Sequence, residues 1–530
     1  MTLRRRRFLA GAASLTGAAL FSPGVAISAA SRRKPNVIVI YTDDLGFGDL
    51  SCYGAGQIDT PNIDRLATEG VRFTNGHSPS ATCTPSRYAL LTGEHAWRKP
   101  GAHILPGDAP ALIRPGKDTM PSMFKRAGYT TALVGKWHLG LGDGTIDWNQ
   151  PITPGPRDIG FDYAFFLPAT QDRVPTVFIE DRQVVGLDPA DPIRIDYRER
   201  VGDEPIGRER PDLLEMKAND GHDGTIVNGI GRIGYMSGGK AARWVDEDIT
   251  DTMLGKAQAF IASHARQPFF MYFAMTEPHV PRTPHKRFQG ATSMGPRGDA
   301  IVQLDWTVGE IVAALKENGV DQDTLIVFGS DNGPVLNDGY DDDAVQRIGN
   351  HRPAGIYRSG KYSIFEGGRR TPFIIRWPAG AAKGVVSPAL VNHVDLFASL
   401  ASIVDQKLPG PSAIDSFDMS STFLGKSMAD RPFMVADTSN FRSGLPSAAN
   451  DNDSIVALIE GGWKLIAPHG GAVTSFAGNE IGALPEPQLF DLERDPGETV
   501  NLASRFPERT RAMQGRLKSI LASSRTRPLR

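Results

Sequence analysis

The chain has 530 residues, with 58 lysines and arginines against 60 aspartates and glutamates, a net charge of −2. That balance excludes a nucleic-acid surface built on excess positive charge, and only two cysteines exclude a disulfide framework. With 40% apolar residues the composition is that of a globular protein, and the length exceeds what a single hydrophobic core usually serves.

The first segment is expected to lie outside the fold. Arg5-Arg6-Arg7-Phe8-Leu9 fits a twin-arginine pattern and precedes a Gly/Ala/Ser-rich apolar run ending near Ala30. Ser28-Ala29-Ala30 offers the small residues of a cleavage site. Residues 1–30 therefore read as a twin-arginine signal peptide. It would be handled by the Tat export machinery and would leave a periplasmic or secreted protein. No later segment approaches the ~20 apolar residues of a membrane span.

Strands and helices then alternate. Asn36–Tyr41 is a buried strand ending at Asp43-Asp44. Pro61–Glu69 is a short helix with Thr60 as N-cap, and Pro85–Leu91 a helix with proline in its first turn and Gly93 beyond its end. Pro121–Ala127 is a helix, and Thr130–Gly135 a strand delivering Lys136 and His138. After a charged, Gly-rich stretch at 180–240 come a helix at 248–265, a strand at 269–275 leading to His279, and a helix at 299–318. A strand at 325–328 runs into Asp331-Asn332, a strand follows at 373–377, and a helix at 394–404. The pattern is α/β: a large mixed, mostly parallel sheet flanked by helices. Around 410–430 the texture changes. Short strands near 454–459, 463–466 and 488–491 and a helix at 507–522 read as a small C-terminal α+β domain with an antiparallel sheet. The expected boundaries are 31–425 for the main domain, with an insertion at 180–240, and 426–530 for the second.

The polar residues fall where chemistry would place them. Asp43-Asp44, Lys136/His138, His279 and Asp331-Asn332 all follow hydrophobic strands, and open parallel sheets bind ligands beyond the carboxyl ends of their strands. Asp43, Asp44, Asp331 and Asn332 offer only oxygen, which selects Ca²⁺ or Mg²⁺ over zinc. Cys83 is set at a helix start, where backbone N–H groups favour an anion. Arg87, four residues on, is expected to reach back to it. Lys136 and His138, two apart, are expected on one face of a strand. The acidic loop Asp338–Asp343 reads as solvated surface.

Cys83-Thr-Pro-Ser-Arg87, Tyr41-Thr-Asp-Asp-Leu-Gly-Phe-Gly48, Val134-Gly-Lys-Trp-His-Leu-Gly140, Phe328-Gly-Ser-Asp-Asn-Gly333 and His393-Val-Asp-Leu-Phe397 stand in this order. Together they resemble the type I, formylglycine-dependent sulfatases of the alkaline phosphatase superfamily, over about Asn36–Gln406. The resemblance implies an alkaline-phosphatase-like fold, with Ca²⁺, ahead of Mg²⁺, held by Asp43, Asp44, Asp331 and Asn332. It implies conversion of Cys83 to Cα-formylglycine by a formylglycine-generating enzyme. The hydrated aldehyde would attack sulfur with Asp331 as base, while Arg87 holds the formylglycine. Lys136 and Lys361 would neutralise the sulfate oxygens, His279 would protonate the leaving alcohol, and His138 would help expel sulfate. Thr170 is a candidate sulfate contact. His222, Asp223 and Arg232 in the 180–240 stretch are candidate contacts to a sulfated sugar, the expected substrate, with aryl sulfates a further class. Two alternatives stand beside this reading: a formylglycine-dependent phosphodiesterase or phosphonate hydrolase, and a catalytically silent sulfated-glycan-binding protein.

Overall fold

The computed structural model describes residues 34–219, 221–438 and 454–528. The twin-arginine motif and its cleavage residues lie outside them. In chain order the elements that place the site are β1 (Asn36–Thr42), α1 (Pro61–Thr68), β2 (Val71–Phe73), α2 (Cys83–Thr92), α3 (Met120–Arg126), β3 (Thr130–Lys136), β4 (Tyr163–Leu167), β5 (Ile179–Glu180), β6 (Gln183–Val184), α4 (Ile249–His264), β7 (Phe269–Ala274), α5 (Pro296–Glu317), β8 (Thr324–Ser330), β9 (Phe373–Arg376), β10 (Val385–Ser387) and α6 (Leu396–Ile403). The C-terminal part adds β11 (Met434–Asp437), β12 (Val456–Glu460), β13 (Trp463–Ile466), β14 (Gln488–Asp491) and α7 (Pro507–Ala522).

β1 to β10 form one ten-stranded sheet in the order β10-β2-β9-β8-β1-β7-β3-β4-β5-β6. Its centre, β8-β1-β7-β3-β4, is parallel, and β9 runs antiparallel to both its neighbours. The run Val37-Ile-Val-Ile-Tyr41 explains why the centre is doubly covered. Alternation sends Val37, Val39 and Tyr41 into one core and Ile38 and Ile40 into another. The first core is closed by apolar residues of α2, α3 and α6, the second by those of α1, α4 and α5.

The C-terminal strands make a separate antiparallel sheet, β11-β12-β13-β14. Val435, Leu458, Leu465 and Leu489 from it, with Met513 and Leu517 of α7, join the same apolar cluster as the large sheet. β2, β4 and β11 were not among the expected strands. They are three to five residues long, too short for periodicity to separate from loop. The 180–240 stretch, expected to be irregular, is organised by short ladders: 194–196 with 235–237, 226–227 with 230–231, and 217–218 with 340–341.

Candidate active site

Strand register brings the acidic pairs together. In the parallel pairing of β1 with β8, Thr42 lies opposite Ser330, so Asp43-Asp44 and Asp331-Asn332 leave the sheet side by side. The backbone closes the arrangement: the Asp331 N–H donates to Thr42 O at 3.2 Å, and the Asp44 N–H, at φ +61°, donates to Asp331 Oδ1 at 3.3 Å. Asn332 Nδ2 donates to Asp44 Oδ1 at 2.7 Å. Asp43, Asp44 and Asp331 each offer an oxygen within 4.8 Å of the others, and all four side chains are fully buried.

Three cationic side chains surround these carboxylates. Lys136 Nζ lies 2.5 Å from Asp43 Oδ2, and Lys361 Nζ 2.9 Å from Asp44 Oδ2. Arg87 Nε donates to Asp331 Oδ2 at 2.9 Å, and its Nη1 to the Tyr272 hydroxyl at 3.1 Å. This corrects the expectation that Arg87 reaches back to Cys83. Its hydrogen bonds run to the strand ends, so it braces Asp331 instead. Burial, then the charge of Asp43, pushes the Asp331 carboxyl up to about 6. The Asp44 carboxyl is held below its ordinary value: burial opposes ionisation, but Lys361 and His279 outweigh it.

Two oxygens in this crowd stay without a hydrogen-bond partner, Asp43 Oδ1 and Asn332 Oδ1. A bound ion is one of the things that satisfies buried oxygens of this kind. A set of three carboxylates and one amide oxygen is the ligand chemistry of a hard divalent cation, and the residues fit one.

Cys83 is the first residue of α2, with extended Thr82 as N-cap, so the helix begins two residues ahead of the expected Pro85. Its thiol lies within 4.8 Å of oxygen and nitrogen atoms of Asp43 and His279. Burial pushes that thiol up to about 11. A thiol that stays protonated is a poor nucleophile in its own right.

The expectation that Lys136 and His138 share a strand face is also corrected. β3 stops at Lys136 because Gly135 adopts φ +116°, where a Cβ would sit 1.9 Å from Ala274 O, and His138 turns at φ +52°. The His138 ring sits with Nε2 2.9 Å from Leu105 O, and its Nδ1 is buried without a partner. Burial, then Lys136, holds it well below the usual histidine range. His279 Nδ1 lies 2.6 Å from Val280 O and its Nε2 3.8 Å from Asp44 Oδ2. Burial, then Lys361, lowers it to about 4.

The candidate substrate contacts divide. The Thr170 hydroxyl accepts from Arg173, which also pairs with Asp172 at 2.8 Å. His222 Nε2 lies 3.2 Å from Asp172 Oδ2, with its ring edge-on to Tyr340. These residues are tied to the segment that follows β4. Asp223 is half-buried and pairs with Arg208. Arg232 is fully buried, and its Nη1 and Nη2 groups donate to Asp246, Gln171 O and Val227 O, which makes it a strut of the insertion. The acidic loop is corrected most. Asp338 and Asp342 are buried and paired, Asp338 with Lys361 at 2.8 Å and Asp342 with Arg282 at 2.8 Å. Among the described residues no helix is long and apolar enough to cross a membrane.

The sulfatase family model matches residues 35–406. The chain belongs to the sulfatase family. An N-acetylgalactosamine-6-O-sulfatase of Bacteroides thetaiotaomicron is 49% identical over 92% of this chain and 93% of its own length. Human arylsulfatase A is 30% identical over 90% of this chain and 85% of its own. A solved B. thetaiotaomicron protein, described in connection with the metabolism of multiple glycosaminoglycans, superposes with a TM-score of 0.89. It is 48% identical and covers 93% of this chain and all of its own. The fold is thus the alkaline-phosphatase-like one expected of a sulfuric ester hydrolase, and sulfatase is the enzyme class of this protein.

Proposed function

We propose that this sulfatase hydrolyses the sulfate monoester of a sulfated carbohydrate, with Cys83 matured to formylglycine and Ca²⁺ held by Asp43, Asp44, Asp331 and Asn332. The observation that carries the reading is the pair of buried, unpartnered oxygens, Asp43 Oδ1 and Asn332 Oδ1, in a site that also holds Cys83, Lys136, His279 and Lys361. The sugar class is favoured by the relative named for N-acetylgalactosamine 6-O-sulfate.

When present, the cation and the hydrated formylglycine would supply charge neutralisation and the attacking hydroxyl. The chain's own groups do the rest. The Lys136 and Lys361 ammoniums take sulfate oxygens in a buried site, where such contacts are strong. Arg87 keeps Asp331 oriented as the base beside the nucleophile. His279, with Nδ1–H donating to Val280 O, presents Nε2 to hold the proton for the leaving alkoxide. His138, with Nε2–H donating to Leu105 O, keeps Nδ1 as an unpartnered acceptor, the atom that would take a proton when sulfate is released. Thr170 and His222, both tied to the Asp172-Arg173 pair, stand on the side of the substrate's remaining groups. A formylglycine-generating enzyme is the implied maturation partner. Export through the twin-arginine route is tested by Arg5→Lys with Arg6→Lys, which should trap the protein inside the cell.

The deciding experiment is the mass of the tryptic peptide 73–87 from natively produced protein, followed by turnover of 6-O-sulfated N-acetylgalactosamine. Conversion of the thiol to the aldehyde lowers the mass by about 18 units, a covalent change of side-chain chemistry. An unmodified, alkylatable thiol in protein that still turns over sulfate esters would overturn the formylglycine mechanism. Hydrolysis of phosphonates or phosphate diesters ahead of sulfate esters would overturn the substrate class.

A further inference from the structure

We propose that Asp338 is a positioning residue of the sulfate site: it is the carboxylate that holds the Lys361 ammonium in place when Asp44 is engaged elsewhere. The proposal rests on the functional reading above.

Lys361 is 1% exposed. Its ammonium has three N–H donors, and two of them are directed at Asp44 Oδ2 at 2.9 Å and Asp338 Oδ2 at 2.8 Å. One remains for a sulfate oxygen. Asp44 belongs to the oxygen set that fits a divalent cation, and a carboxylate shared with such a cation is a weaker partner for an ammonium. Asp338 lies outside that set of four and gives Lys361 a second acceptor. The need is physical. An ammonium on a flexible stem points where its fixed acceptors hold it, and a buried one needs acceptors for its donors.

Asp338 is itself fixed. The Tyr362 hydroxyl donates to it, 2.9 Å from Oδ1 and 3.2 Å from Oδ2. Tyr362 and Ser359 flank the lysine at φ +75° and +65°, a backbone that non-glycine residues adopt at a cost. The turn is anchored on three sides. The Lys361 N–H donates to Pro334 O, the Tyr362 N–H to Ala81 O just before Cys83, and Asn479 Nδ2 to Lys361 O. The strained turn, the tyrosine and the aspartate thus converge on one ammonium. The Asp338 carboxylate also lies within 4.8 Å of atoms of both Asp44 and His279, so it works at the reacting side of the site.

The test is a double-mutant cycle on matured, Ca²⁺-loaded protein with Asp338→Asn, Lys361→Ala and both together. It is read by kcat/KM on para-nitrophenyl sulfate and by the calorimetric Kd of inorganic sulfate. Loss of a charge-assisted contact should lower both by about 10- to 100-fold in Asp338→Asn. In the Lys361→Ala background the same change should do nothing further, because Asp338 acts through the lysine. Tyr362→Phe, which removes only the brace, should give a smaller loss that also vanishes without Lys361; it serves where Asp338→Asn does not fold. Additive losses in the cycle, or sulfate binding that stays unchanged or tightens when Asp338 is neutralised, would overturn the role of Asp338. Wild-type protein that neither binds sulfate nor cleaves its esters would instead overturn the functional reading.

Discussion

Two of the buried charge clusters among the described residues serve opposite ends. In the first, Asp43, Asp44 and Asp331 face Lys136, Lys361 and Arg87, and two oxygens are left over. In the second, Glu366 and Glu498 face Lys464 and Arg370, and Glu498 Oε1 is left without a hydrogen bond as well. Glu366 has Lys464 at 3.0 Å and Arg370 at 2.9 Å, while Glu498 has Lys464 at 2.8 Å and the Glu366 N–H at 2.5 Å. The second cluster ties β13 and the loop after β14 to the turn preceding β9, so it works as a clasp between the two sheets. Charge density alone therefore does not mark the catalytic region. Nor do unpartnered atoms, which both clusters hold; what sets the first apart is an all-oxygen ligand set beside Cys83 and His279.

If that contrast holds, substitutions in the first cluster should abolish chemistry, and those in the second should loosen the fold. The largest effect is expected at Cys83. Cys83→Ser should lower sulfate-ester turnover by about 10³-fold or more, because a serine sulfate has no second hydroxyl with which to release its product. Its melting temperature should stay close to wild type. Wild-type turnover by the serine variant would break the assignment of the nucleophile.

Next comes the cation. Chelation should remove activity and lower the melting temperature, and Ca²⁺ should restore both, since a ligand that binds only the native state stabilises it by about 3 kcal/mol at a hundred times its Kd. Asp43→Asn, which weakens one ligand, should raise the Ca²⁺ concentration needed for half-recovery. Indifference of both activity and melting temperature to chelation would show that the orphan oxygens serve something other than a metal.

How much of this was legible beforehand follows from the kind of signal. The run Val37–Tyr41 announces a doubly buried strand, and the polar pairs behind it and behind Phe328 announce a site at strand ends. Both are properties of local pattern. The last helix, Pro507–Ala522, and the strand Gln488–Asp491 have the expected bounds for the same reason. What escaped was set by partners distant in sequence. Asp338 reads as solvated because four acids stand within six residues; that it turns inward depends on Lys361 and Tyr362, which the sequence places beyond a loop. Arg87 was given to Cys83 by helical spacing, but its Nε donates to Asp331 once β8 is in register. His138 left its strand because Gly135 bends the backbone, a conformation that residue counting does not reveal.

The clasp gives the smaller effects. Lys464→Met strips both glutamates of their shared cation, and breaking a buried pair in this way costs about 3–5 kcal/mol. Denaturant unfolding should show that loss, while kcat of the folded fraction stays within about twofold, because Lys464 touches none of the reacting groups. A collapse of kcat without loss of stability would erase the distinction between the two clusters.

Glu498 allows the finest test. Burial pushes its carboxyl up to about 7 from an ordinary 4.5, against the pull of Lys464 and with the help of Glu366. Between those values the folded protein holds a proton that the unfolded chain has released. Its contribution is therefore complete on the acid side and is lost as the pH rises through about 7. Glu366, held below its ordinary value by Lys464 and His77 despite burial, changes charge only at more acid pH and leaves this window to Glu498. Glutamine resembles the protonated form. Glu498→Gln should thus match wild type near about pH 4 and show a shallower fall in unfolding free energy as the pH rises from there to about 7. Parallel pH profiles for the two proteins would mean that Glu498 is ionised throughout and that Lys464 balances both carboxylates.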